Sequence, residues 1–290
     1  INYLNYEKLK KQKSKYFLEI NNLQQDRLSR LTFFHYYNYN NQKIPTWQKL
    51  LESESKLQKK NSKYVTHGIH NYKGKFYPQL VKSLLNISQT KTNSVLFDPF
   101  CGSGTVALEG YLNGMKAFGC DLNPLAVLIS RTKLNILNVD YDELEKNVNK
   151  ILSLKYSIND APGLEYFLPE CRGEIKKWFP LSVIKKISFL RKNIDSIDNE
   201  DIRDFLLIIL SGIIRNISQQ DPKDLRIRYR KFYIKNAPVM QLYRRNLKDN
   251  LKKIKYFQKI KINSSASFHN SKIWSANNTK IDDLKKIQEK

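Results

Sequence analysis

Ser94-Val-Leu-Phe-Asp98-Pro-Phe-Cys101-Gly102-Ser-Gly104-Thr105 is the stretch on which the reading of this chain turns. Ser94 to Phe97 is a short apolar run with the character of a buried strand, and it closes on Asp98 and Pro99. Glycines at 102 and 104 permit a tight turn and leave backbone space where side chains would block a ligand. Thr105 to Asn113 then reads as a helix, and Lys116 to Cys120 as a second strand that closes on Asp121. Pro124 to Leu137 reads as the next helix. Strand, loop, helix and strand in this span imply a parallel, right-handed βαβ unit. Open α/β sheets bind ligands at the carboxyl ends of their strands, which is where Asp98 and Asp121 fall.

Working outward, Gln79 to Ile87 has helical periodicity, and residues 1–62 are polar and Lys-rich. Apolar positions there (Tyr16, Phe17, Ile20, Leu23, Leu28, Leu31) are loosely spaced as in helices, so a helical N-terminal arm is expected, broken around Asn38 to Pro45. Downstream, Leu144, Val148, Ile151 and Leu152 form one helical stripe; Ile202, Phe205, Leu206, Ile209, Leu210 and Ile213 form another. Ser267 to Trp274 reads as one more strand and Ile281 to Lys290 as a short helix. The expected organisation is an arm over 1–62, an α/β domain over 63–140 with 266–290, and a mainly helical insertion over 141–265.

Composition narrows the class. Hydrophobic residues at 41% exclude a wholly disordered chain. No apolar run approaches the ~20 residues needed to span a bilayer, and no signal peptide is visible, so no membrane partner is expected. Three cysteines without CxxC pairing suit a reducing compartment, hence a cytoplasmic protein. Fifty-one Lys and Arg against 27 Asp and Glu give +24, a field that favours a polyanion because neutralised phosphates release counterions. Recurrent Lys, Asn, Ile and Tyr also fit the codon bias of an AT-rich, prokaryotic genome, which supplies lysines without selection for binding. His67 and His70 have helical spacing for a metal pair but lack a third ligand nearby, so no metal is expected.

The acids at the two strand ends suit a nucleoside cofactor: Asp98 for an ammonium group, Asp121 for both ribose hydroxyls. Gly102-Ser-Gly104-Thr-Val-Ala107 also satisfies GxGxxA, the pattern of a nicotinamide enzyme. The Asp-Pro before the loop, Phe100 beside it and the lack of hydride-transfer apparatus favour a methyl donor instead. Asp98 to Thr105 resembles the cofactor loop of the amino-methyltransferases that make N6-methyladenine or N4-methylcytosine in DNA. Gly119-Cys-Asp121-Leu122-Asn123-Pro-Leu-Ala126 resembles the segment that follows it, and Thr66 to Pro78 the segment before the first strand. Arg203 to Arg230 is similar, less specifically, to the helical insertion of many of these enzymes.

This resemblance implies a Rossmann-like fold with a partial sheet and S-adenosylmethionine as cofactor. Its candidate contacts are Tyr72, Lys75, Phe76, Asp98, Pro99, Phe100, Cys101, Gly102, Ser103, Gly104, Thr105, Asp121, Leu122, Asn123 and Asn277. Cys101 reads as a small filler in the loop rather than a nucleophile. The family transfers the methyl group with a second motif, (Asp/Asn/Ser)-Pro-Pro-(Tyr/Phe/Trp), and Pro-Pro occurs nowhere in residues 1–290. The expectation is therefore no catalytic residue in this chain, and a second polypeptide that carries the motif. The partner expected is double-stranded DNA, in a restriction-modification or related defence system, with Lys223, Arg226, Arg228, Arg230 and Lys231 as phosphate contacts. Arg226, Arg228 and Arg230 alternate, which on a strand would put them on one face, with Tyr229 and Tyr233 on the other parity. The alternatives are a catalytically silent DNA-binding or regulatory subunit and an NAD-dependent oxidoreductase.

Overall fold

The computed structural model describes residues 28–39, 41–52, 61–224, 226–262, 268 and 271–276, together with the backbone of 8–12 and 15–19. The chain divides into two compact units: 1–67, 73–130 and 259–290 form the first, 68–72 and 131–258 the second.

The first unit opens with two antiparallel hairpins. β1 (Lys8–Gln12) pairs with β2 (Lys15–Glu19), and β3 (Tyr36–Tyr39) with β4 (Gln42–Pro45). A helix is expected over Tyr16 and Phe17 from the spacing of apolar residues, and the structure corrects this, whereas β3 and β4 fall at the expected break around Asn38 to Pro45. Tyr16-Phe-Leu and Tyr36-Tyr-Asn-Tyr are contiguous strand-prone runs, and their β preference overrides a loose helical period. Asn41 turns the second hairpin with φ of 60°, a left-handed conformation that Asn tolerates. Helix does follow: α1 (Trp47–Glu52) is capped by Thr46, whose Oγ1 accepts from the Lys49 amide at 3.2 Å.

α2 (Pro78–Ile87) starts with proline at its first position, where the missing N–H costs nothing. Its Val81 and Leu85 pack with Met115, Leu96 and Val106. The expected βαβ unit follows. β5 (Val95–Asp98), α3 (Thr105–Leu112) and β6 (Lys116–Asp121) run in order, with β5 and β6 parallel from Val95↔Lys116 to Asp98↔Gly119. α4 (Pro124–Asn135) leaves β6, and β7 (Lys272–Ser275) pairs parallel on the other side of β6, Phe118↔Lys272 to Asp121↔Ser275. The sheet order is β5-β6-β7.

The sheet lies close beneath α3 because of Gly110. A Cβ there would fall 2.6 Å from Leu96 Cδ2 and 3.1 Å from Ala117 Cβ. Alternation puts Val95 and Phe97 on the opposite face of β5, where they are 70% and 46% exposed. A parallel sheet is normally covered on both faces. Here one face of β5 carries exposed apolar side chains, and on α2 so do Leu80, Leu84 and Ile87.

The second unit is helical: α5 (Tyr141–Leu152), α6 (Arg172–Trp178), α7 (Leu181–Asp195), α8 (Glu200–Ile217) and most of α9 (Val239–Ile262), with 3-10 turns at Gly163–Tyr166 and Pro169–Cys171. The two expected stripes are buried, Leu144, Val148 and Ile151 on α5, and Ile202, Phe205, Leu206, Ile209, Leu210 and Ile213 on α8. Asp140 and Asn199 cap these helices by accepting from the amides of Glu143 and Ile202. No described helix is long and apolar enough to cross a membrane.

Candidate functional site

The loop between β5 and α3 is built mostly from backbone bonds. Cys101 N donates to Cys120 O at 3.0 Å, tying the loop to β6, and Gly104 N donates to Cys101 O at 2.7 Å. Gly102 and Gly104 have φ of 49° and 72°, so the turn needs residues without the left-handed penalty. At Gly104 space is also exhausted, since a Cβ would lie 2.8 Å from Ser130 Oγ and 3.1 Å from Ser130 Cα. Ser130, fully buried on α4, donates from Oγ to Gly102 O at 2.7 Å.

The two strand-end acids act on this loop in different ways. Asp98 Oδ1 accepts from the Phe100 amide at 3.1 Å. Burial raises the Asp98 carboxyl above its ordinary range; the Phe100 bond opposes the rise and the charge of Asp121 adds to it. Asp121 uses both oxygens: Oδ2 accepts from Gly102 N at 2.9 Å, and Oδ1 from Asn123 N at 2.8 Å. A carboxylate has about four acceptor positions, so two remain for hydroxyls. Asn123 in turn accepts from Leu125 N at 3.0 Å and so caps α4.

Other candidates are placed as follows. Phe100, Leu122 and Phe76 are exposed apolar side chains, the first two beside the carboxyl ends of β5 and β6. Cys101 is buried, and burial pushes its thiol up to about 12, which suits a filler and not a nucleophile. Ser103 is buried, and so is Thr105, whose Oγ1 has no hydrogen-bond partner among the described residues. A glycine cradle, an orphaned buried hydroxyl at a helix start and a carboxylate with spare acceptor positions fit the nucleoside and amino-acid ends of S-adenosylmethionine. Lys75 Nζ donates to His67 O at 3.1 Å, whereas Tyr72 belongs to the second unit. Asn277 lies outside the described residues, though Ala276 N donating to Asp121 O at 3.2 Å brings that strand end beside Asp121.

Two supporting residues escape sequence reasoning. Ser130 carries no local signal, because its partner is 28 residues away. Glu109 does carry one: it is a carboxylate in the apolar run Val106-Ala-Leu-Glu-Gly-Tyr-Leu112. It is fully buried on α3, and its Oε1 accepts from the Tyr64 hydroxyl and lies 2.8 Å from His67 Nε2. Lys82 Nζ nearby donates to Gln48 Oε1 at 3.0 Å, and burial lowers its ammonium to about 8. The segment 64–67 is thus tethered to the helix that the glycine loop opens. His70 is elsewhere, with Nε2 3.1 Å from Ser211 Oγ.

The basic segment sits in the second unit. Asp221 N donates to Arg228 O and Arg230 N to Gln219 O, both at 2.8 Å, closing an antiparallel clasp around the bridge Gln220↔Tyr229. Arg226 and Arg228 are exposed and both reach Asp224, at 3.4 and 3.3 Å. Arg230 departs from the expected shared face. Its guanidinium turns inward to Asn216 O at 2.7 Å and Ser218 O at 3.0 Å, at the carboxyl end of α8, where a cation offsets the helix dipole. Lys223 and Lys231 are exposed.

Residues 68–146, which include the whole glycine loop, match the model of the RMKL-like methyltransferase domain. The chain is 28% identical over 176 residues to the type II methyltransferase M.MvaI of Kocuria varians (58% of this chain, 37% of that protein). It is 34% identical over 142 residues to the type II methyltransferase M.MjaII of Methanocaldococcus jannaschii (48% and 26%). A tRNA (guanine(10)-N2)-dimethyltransferase of that organism is 33% identical over 84 residues (29% and 23%). The matched region therefore spans about a quarter to a third of the length of these curated relatives. No solved structure matches. The GxGxxA match accordingly lies within the span similar to a methyltransferase domain, in a sheet of Rossmann-like fold.

Proposed function

We propose that this methyltransferase domain is the S-adenosylmethionine-binding part of an enzyme that methylates adenine N6 or cytosine N4 in double-stranded DNA, within a restriction-modification or related defence system. The observation that carries it is the doubly anchored Asp121, whose carboxylate holds the glycine loop and keeps acceptor capacity at the end of β6. Bound there, the sulfonium would supply an activated methyl group. Asp98 would accept from the donor's ammonium, and Asp121 from its ribose hydroxyls. The glycines keep side chains away from the donor.

An exocyclic amine needs no covalent intermediate; alignment of nitrogen, methyl and sulfur supplies most of the rate. The Pro-Pro motif that aligns it falls nowhere in residues 1–290, so this reading assigns that step to polypeptide outside them, whether a continuation or a partner subunit. The exposed apolar face at Val95 and Phe97 supports it, because such a surface is completed by further packing. The target base must leave the helix stack to reach the donor. A second reading, methylation of an RNA base, is favoured by the likeness to the tRNA guanine-N2 enzyme, since that N2 is also an exocyclic amine.

The test is transfer of labelled methyl to duplex DNA and to tRNA, by the chain alone and with the polypeptide that bears the missing motif. Label in DNA only with that polypeptide is expected, and digestion names the base. Label in tRNA alone selects the second reading. Cofactor binding with no label in any mixture would leave a silent DNA-binding subunit and sink the enzyme reading.

A further inference from the structure

The clasp around Gln220↔Tyr229 is well fixed, and exposed apolar side chains flank it. At the base, the Gln219 side chain bonds both groups of Ile234, its Nε2 donating to Ile234 O at 2.8 Å and its Oε1 accepting from Ile234 N at 3.1 Å. The Arg230 guanidinium holds the same region to the last carbonyls of α8. Tyr229 stacks on Trp178 with centroids 4.4 Å apart and planes 13° from parallel. The side chains around it are exposed: Ile227 is 77% exposed in the turn that closes the clasp, and Phe232 84% and Tyr233 69% in the stretch between Arg230 and Ile234. Single exposed apolar residues need no explanation, but two adjacent exposed rings, Phe232 and Tyr233, on an anchored segment form a patch.

Charge identifies what covers it. Residues 221–235 carry six cations against two carboxylates, and Arg226, Arg228 and Lys231 stand close in sequence to Phe232 and Tyr233. A positive track with aromatic rings beside it matches a polynucleotide, whose phosphates meet the cations while its bases stack on the rings. Inserted apolar side chains also unstack base steps and kink duplexes.

We propose that Phe232 and Tyr233 are a base-contacting wedge, with Phe232 the principal ring. Resting on the DNA reading above, this adds a surface that stacks on bases exposed when the duplex opens, distinct from cations that touch phosphate. Its consequence is a preference for DNA with unpaired bases over the intact duplex.

The test measures binding of the full 290-residue chain to a fluorescein-labelled duplex and to the same duplex with a short single-stranded gap. Wild type is expected to prefer the gapped DNA, and Phe232→Ala to lose about 5- to 100-fold of affinity for it, the range one stacked base is worth. Phe232→Trp is expected to restore the preference. Because position 232 touches no phosphate in this scheme, the salt dependence of binding should not change in Phe232→Ala, whereas Arg228→Ala should reduce it. Equal binding of wild type and both Phe232 variants to gapped DNA overturns the wedge alone. Failure of wild type to bind either DNA, with cofactor still bound, overturns the DNA reading instead. Phe232-dependent binding to phosphatidylcholine–phosphatidylserine vesicles with none to DNA would make the patch a membrane surface and overturn the proposal.

Discussion

The glycine loop after β5 and the basic clasp after α8 are both short, both rich in signal, and held by opposite means. In the first, polar groups turn inward: Asp121, Ser130 and Cys120 O bind loop backbone. In the second, Arg230 turns inward, whereas Arg226 and Arg228 are exposed and pair with Asp224. The contrast teaches that position in a motif does not assign a role. Arg228 and Arg230 are two residues apart, yet one is available to a ligand and the other is a helix cap.

The comparison breaks most visibly at Gly104. Gly104→Ala places a methyl against Ser130 and forces a left-handed alanine, so a loss of about 2–4 kcal/mol is expected by chemical denaturation. Ser130→Gly in the same chain should recover part of it. Asp121→Ala removes an acceptor for two amides as well as the proposed ribose contact, and calorimetry should find S-adenosylmethionine affinity down roughly 100-fold.

Lys82 sharpens the contrast through pH. Its folded value near 8 lies below the ordinary 10.5, so between these the unfolded chain binds more protons and stability rises with pH. The buried Tyr64, raised above its ordinary value of 10, works in the other direction once the unfolded tyrosine ionises. A gain on the order of 2 kcal/mol is therefore expected from pH 8 to 10, measured by urea midpoints, and it should vanish in Lys82→Met.

On the clasp, Arg230→Ala should cost about 1 kcal/mol of stability while leaving the salt dependence of DNA binding unchanged. Arg226→Ala and Arg228→Ala should do the reverse. Stability stays within about 0.5 kcal/mol, and the slope of log K against log salt falls by about 1 for each. Equal slopes for Arg228→Ala and Arg230→Ala would erase the distinction between the two positions.

What was legible followed from how local its cause is. Asp98-Pro and the two glycines define a turn within seven residues, and the stripes on α5 and α8 announce their own buried faces. Even β7, far along the chain, leaves a trace in Ile273-Trp274, although it begins at Lys272 rather than Ser267. The arm was misread because loosely spaced apolar residues fit a helix as well as a hairpin until pairing partners are known. Ser130 and Glu109 have their partners 28 and 42 or more residues away. Arg230 looked like its neighbours because nothing local says where the end of α8 lies in space.

The pair of hydrogen bonds between Gln219 and Ile234 has an evolutionary side. A side chain that satisfies both the N–H and the C=O of one residue closes the loop without reference to what lies between. Residues 221–228 and 231–233 form an exchangeable cassette, open to drift, insertion or grafting while the helices beneath keep their packing. If that cassette contacts DNA as proposed, variation there would change what is recognised at little expense to folding, and target would diverge faster than shape.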